Sequence, residues 1–297
     1  MTSGRTSVQR APARPLPCAG PAELRRGVLA VSVLHDIDVE PADDGVRLVG
    51  SPPVWVSWAE CRRALAGSDP EDEDGRRRLT DWLQARRWVA GAGRAAVTER
   101  LTAVGLPVDH LLHPGLDWVQ ERVLGDALDL GLGAVDLDPA DPDRVVLLPR
   151  TALDACRIDA DCAWLPVRDR LEELGRLAVE LLAHDPRGQL RPVGHGDVVT
   201  LLGSRELRRS LASAHGGMAP VIVPMRRRGW SRLALIDPAF GPAAAAATGP
   251  ADRGFARPLL VTEHEVSLVP IGGRSQLLAV RQPAADAPVW GRDVRRR

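Results

Sequence analysis

The sequence contains no lysine, no asparagine and no tyrosine, and only 2 phenylalanines and 3 methionines among 297 residues, so all 39 of its basic side chains are arginine. Without lysine there is no P-loop amine, no Schiff-base chemistry and no lysine general base; without tyrosine there is no phenolic acid. The missing types are those encoded by AT-rich codons, so arginine in place of lysine reports a GC-rich genome rather than a selected phosphate site. Cysteine is scarce: Cys18, Cys61, Cys156 and Cys162 form no C-x-x-C pair, and neither a zinc knuckle nor a secreted disulfide framework fits. Long apolar runs are lacking too. Val28 to Leu34, behind Arg25-Arg26, is interrupted by Ser32 and ends at His35-Asp36, too short for a membrane span and without a small-residue cleavage site. A cytoplasmic protein with no membrane segment and no cofactor is expected.

What remains is an ordinary globular mix of 44% apolar and 26% charged residues, which excludes wholesale disorder, collagen and coiled coil. The formal net charge is +0, so the molecule as a whole carries no footprint suited to wrapping nucleic acid. The asymmetry is local. Five arginines face only Glu23 before residue 27, and Arg292, Arg295, Arg296 and Arg297 face only Asp293, while acid gathers at Glu71 to Asp74 and at Asp136, Asp138, Asp141 and Asp143.

The pattern predicts a mixed α/β (α+β) fold: a small N-terminal antiparallel sheet with helices, then a C-terminal β-α-β unit continued by antiparallel strands. Residues 1–22 read as a disordered basic arm, 23–189 as a sheet-plus-helices domain, 190–282 as a C-terminal α/β domain and 283–297 as a basic tail; fusion of the two domains into one stays open. Strands are expected at Val28–Leu34, Val46–Val49 and Val54–Val56, and Ser57-Trp58-Ala59-Glu60 has capping-box spacing for a helix to Ala66. Three helices follow: one through Leu79, Trp82 and Leu83, one through Val97, Leu101 and Val104, and one through Leu116, Val119 and Val123, with Gly91 and Gly105 as caps and a long loop at 131–143. Pro166 opens a helix whose stripe is Val167, Leu171, Leu174, Ala178 and Leu181. The β-α-β unit is Val198–Leu202, Arg205–Ala214 and Val221–Val223. A hairpin then leads to Leu233–Ile236, and Leu259–Val261, Val266–Val269 and Leu277–Val280 complete the strands.

Chemistry-bearing residues are dispersed. Gly91-Ala92-Gly93-Arg94-Ala95-Ala96 matches G-x-G-x-x-A but follows a helical pattern, where a dinucleotide site needs a strand, so it reads as a glycine-rich helix turn. His35-Asp36-Ile37-Asp38-Val39 resembles, over five residues, the D-x-D-x-V strand end of haloacid-dehalogenase-like phosphatases. That family holds its phosphoryl group with a basic residue, usually Lys, which this chain lacks, and a solvated strand end accounts for the segment. His110 and His113, three residues apart, are candidate metal ligands, although Pro107 and Pro114 leave little room for a helix between them. His195 and Asp197, like His35 and Asp36, are catalytic candidates, but the first pair precedes its strand, where groups are generally structural.

Met225-Arg226-Arg227-Arg228-Gly229-Trp230 is the most informative segment. Three guanidiniums on a hairpin tip are expected to face solvent, with Trp230 as a stacking surface. Arg226, Arg227, Arg228 and Trp230 are therefore the candidate partner-binding residues, suited to an acidic protein surface or nucleic acid. Two readings of function follow. One is a non-catalytic interaction or regulatory protein acting through this hairpin and the basic tails. The other is a metal-assisted hydrolase using some of His35, Asp36, His110, His113, His195 and Asp197.

Overall fold

The structure is a computed structural model and describes residues 21–269. The expected arm over 1–22 lies outside the described residues except for Pro21 and Ala22, which are helical rather than disordered, and the strand at Leu277–Val280 and the basic tail lie outside them too. The fold is mixed α/β, with helices and three antiparallel sheets among the described residues, and it divides into two compact units, each discontinuous in sequence.

The first unit takes the described residues up to Gly93, with 114–117 and 149–156. Its helices are α1 (Pro21–Leu34), α2 (Trp58–Leu65), α3 (Glu73–Arg100, contributed as far as Gly93) and α4 (Arg150–Ala155); its sheet is the meander β1 (Val39–Pro41), β2 (Gly45–Leu48) and β3 (Val54–Ser57). Val46, Leu48, Val54 and Val56 alternate onto one sheet face and meet Leu24, Val28 and Val31 of α1 and Leu79, Trp82 and Leu83 of α3, as a period of two against a period of 3.6 requires. The capping box forms: the Ser57 hydroxyl accepts from the Glu60 amide, and the Glu60 carboxylate accepts from the Ser57 amide at 2.8 Å.

Val28–Leu34, expected as a strand, is instead the second half of α1. Leu24, Val28 and Val31, spaced four and three apart, are buried while Val33 and Leu34 are 83% and 69% exposed. The apolar run is ambiguous in period; the helical signal comes from Leu24, four residues upstream. Gly91 does not cap its helix. The backbone leaves helical geometry two residues later, at Gly93 (φ 75°, ψ 167°).

The second unit takes 94–113, 118–148 and the described residues from 157 on. Its first sheet has β4 (Leu101–Pro107), β5 (Gln120–Leu124), β6 (Leu128–Ala134) and β7 (Val146–Leu147), with β6 paired to the other three. Leu101 and Val104 of one expected helix thus lie in β4 and Val123 of another in β5, while 131–134 of the expected loop belong to β6, and the glycines explain the error. A Cβ on Gly131 would stand 2.1 Å from the Trp118 indole, and one on Gly105 would stand 2.7 Å from the Val199 carbonyl. These glycines permit close approach inside a sheet, where the sequence reads them as caps and breakers.

The second sheet runs in the order β12 (Val266–Leu268), β11 (Leu259–Val261), β9 (Ala219–Met225), β10 (Arg228–Trp230), β8 (Gln189–Leu190). One face packs Val221, Val223, Leu259, Val261 and Val266 against the helical residues Val198, Val199, Leu201, Leu207 and Leu211. The accompanying helices are α5 (Ala160–Ala183), α6 (Val198–Leu201), α7 (Arg205–Ser213) and α8 (Phe240–Ala247). Val198–Leu202 is therefore helical where a strand was expected, and the C-terminal segment proceeds helix, helix, strand. Every residue of that run is buried, which hides its period, and the deciding signal is the Asp197 side chain accepting from the Thr200 amide at 2.7 Å as an N-cap. α5 starts at the N-cap Asp159 with Pro166 inside it, and Leu181, grouped with its buried stripe, is 56% exposed.

Candidate functional site

The hairpin forms as the arginine triplet and Gly229 suggest, but one strand earlier than expected. β9 turns through Arg226 and Arg227 straight into β10, with Met225 opposite Arg228, and Leu233–Leu235 is a short 3-10 turn rather than the return strand. Pro224 lies where the β9–β10 register slips between the Arg228–Met225 and Trp230–Ile222 pairs; lacking an amide hydrogen, it suits a bulge. Gly229 fits beneath Val223 and Val198, where a Cβ would meet them at 2.9 and 3.2 Å.

The three guanidiniums do not behave alike. Arg226 turns inward and pairs with Asp197 at 2.7 Å, the two side chains being 19% and 16% exposed. Its amide donates to the Asp252 carbonyl at 2.7 Å, and its carbonyl accepts from the Val198 amide at 2.8 Å. Asp197 thus has both oxygens occupied, one capping α6 and one holding the hairpin. The expectation that all three arginines face solvent is corrected for Arg226, whose partner lies 29 positions away in sequence and only tertiary structure reveals it. Arg227 and Arg228 are exposed and make no ion pair among the described residues. Trp230 is half-buried, its ring edge-on to Phe240 at 5.0 Å, so one side of the expected stacking surface is occupied.

The catalytic and metal candidates serve the fold or stand alone. His195 is exposed on the tight turn closed by Val193 and Gly196, and no hydrogen bond joins it to Asp197. His110 is 7% exposed; its Nδ1 accepts from the Leu112 amide at 3.1 Å, and its Nε2 lies 3.1 Å from the Arg253 carbonyl, to which it donates. The ring is neutral, its pKa pushed down to about 4 by burial and then by the Arg226 cation. Neither nitrogen has a free lone pair for a metal. His113 holds the buried Asp129 carboxylate at 3.1 Å and packs edge-on to Trp118. His35 and Asp36 are exposed just past α1 in the first unit. No group of three or more His, Cys, Asp or Glu side chains among the described residues is placed to hold a metal ion.

The sequence conceals a buried polar network in the first unit. The Asp117 carboxylate accepts from Trp82 Nε1 at 2.8 Å and from the Thr151 hydroxyl at 3.0 Å. The buried Arg86 guanidinium donates to the Thr151 carbonyl and, at 3.0 Å, to the Trp55 carbonyl, and lies 5.9 Å from the Trp82 ring centroid. α3 continues past Arg86-Arg87-Trp88, and Arg86 joins β3, α3 and the 149–156 segment. Burial, then Glu60, pushes the nearby Cys61 thiol up to about 12, so it stays protonated and unreactive.

What the fold and site define is a mixed α/β protein whose exposed guanidiniums sit on a braced hairpin. Comparison with known proteins adds no relative: no family model, no curated protein and no solved structure matches the chain.

Proposed function

We propose that the protein works through surface contacts rather than catalysis, with Arg227 and Arg228 meeting an anionic partner, an acidic protein face or nucleic acid. The observation that carries this reading is the contrast within the arginine triplet. Arg226 is fastened by an ion pair and three backbone hydrogen bonds, so its neighbours are held outward on a braced support, their guanidiniums without an ion-pair partner among the described residues. A preorganised cation loses little entropy on binding, and guanidinium forks match carboxylate and phosphate geometry.

The basic tails add long-range attraction in this reading. A cytoplasmic location fits the unpaired Cys61, Cys156 and Cys162, and no helix among the described residues is long and apolar enough to cross a membrane. The test replaces Arg227 and Arg228 together by Ser in the full chain, leaving Arg226 to brace the turn. Loss of partners captured by the wild type, with loss of salt-sensitive binding, is the expected outcome; an unchanged set of partners and an unchanged salt response overturn the proposal.

A further inference from the structure

The ladder that joins β10 to β8 pairs Gly229 with Leu190 and Trp230 with Gln189. Leu190 and Gly229 face the core, so by strand alternation Gln189, Trp230 and the residues flanking the ladder, Arg191 and Arg228, belong to the opposite face. Side-chain bonding agrees: Arg191 donates to the Gln189 amide oxygen at 2.9 Å, as two residues on one face do. Arg191 is 63% exposed at its side chain, and Asp185 lies 3.5 Å from it. Two like charges thus flank the same end of a ladder, an arrangement that is unfavourable by itself and is relieved by an anion. On the segments following β10, Leu235 and Phe240 are exposed apolar side chains, and Phe240 touches Trp230.

We propose that this face, resting on the reading of Arg227 and Arg228 given above, binds an acidic peptide segment of another protein. Its carboxylates engage Arg191, Arg227 and Arg228, and an apolar side chain sits against Phe240. Charge complementarity selects the occupant. The ends of this chain are basic, with five arginines to one Glu before residue 27 and four to one Asp at the other end, and an arginine face repels them. Nucleic acid is the poorer match. Three guanidiniums on a chain of zero net charge give little of the counterion release that drives phosphate-backbone binding, and the indole is already occupied edge-on by Phe240.

The experiment measures fluorescence anisotropy of the full-length protein with two labelled probes: a synthetic peptide alternating Glu with Leu and Phe, and oligodeoxythymidine of similar length. The peptide is expected to bind saturably and the oligonucleotide at least about tenfold more weakly. Arg227→Ser with Arg228→Ser, Arg191→Ser alone and Phe240→Ala alone should each weaken peptide binding about fivefold to tenfold, with unchanged circular dichroism showing that each variant folds. Peptide binding lost in the Arg227 and Arg228 double variant but kept in Arg191→Ser and Phe240→Ala overturns the extended face and leaves the hairpin reading standing. Preference for the oligonucleotide, abolished by the double variant, overturns the peptide assignment alone. Binding to neither probe overturns the face and counts against the hairpin reading as well.

Discussion

Asp197 does two jobs with two oxygens, so its replacement tests how the hairpin is braced. Asp197→Ala removes an N-cap from α6, a loss of about 1 kcal/mol, and strands the Arg226 guanidinium. A fully buried charge left without its partner costs about 3–5 kcal/mol; here the pair retains 19% and 16% exposure, so water recovers part of that and about 1–2 kcal/mol remains. The total is about 2–3 kcal/mol. Asp197→Asn keeps an oxygen for the Thr200 amide and loses only the charge, for about 1–2 kcal/mol. Arg226→Met combined with Asp197→Ala removes the stranded cation and should recover about 1 kcal/mol relative to the sum of the single changes. Urea unfolding followed by tryptophan fluorescence gives these differences, and amide exchange at Val198–Leu201 gives the local opening. The reasoning is refuted if Asp197→Ala lies within about 0.5 kcal/mol of the wild type, or if Asn destabilises as much as Ala.

Three further outcomes are expected. Gly131→Ala drives a methyl into the Trp118 indole, 2.1 Å away, and should destabilise the second unit by about 1–3 kcal/mol, read as a lowered melting temperature; an unchanged melt contradicts the packing. Asp117→Ala leaves Trp82 Nε1 and the Thr151 hydroxyl without their acceptor, for about 2–4 kcal/mol, and should open the first unit to limited proteolysis before the second. His110 has a folded pKa of about 4, below its ordinary 6.5. The unfolded chain therefore binds the proton first, and stability present above pH 6.5 is lost as pH falls toward 4. His110→Gln should flatten the fall in urea midpoint between pH 7 and 4.5, and an identical slope in the wild type and the variant contradicts a buried neutral ring.

Where a local rule and the tertiary environment agree, the sequence is legible. Ser57 and Glu60 announce a helix start that forms, and Val46, Leu48, Val54 and Val56 alternate because one sheet face is buried and the other is not. Arg205–Ser213 follows its N-cap Ser204 as expected. Legibility fails where burial is complete on all sides, as at Val198–Leu202, because no polar face marks the period. It fails again at Gly105 and Gly131, where glycine serves close packing rather than a turn. The site divides in the same way. The arginine triplet and its turn are visible in the chain, but that Arg226 is withdrawn by Asp197, and that β8 pairs with β10, depends on contacts between distant segments. No local spacing encodes either.

The most direct measurement is the salt dependence of binding to an immobilised carboxylate polymer, made on the full chain and on Arg227→Ser with Arg228→Ser. Affinity of the wild type should fall measurably between about 50 and 200 mM salt, as binding through a few exposed charges requires, and the variant should bind weakly at every concentration. Two superimposable curves would contradict the claim that these outward guanidiniums are the working surface.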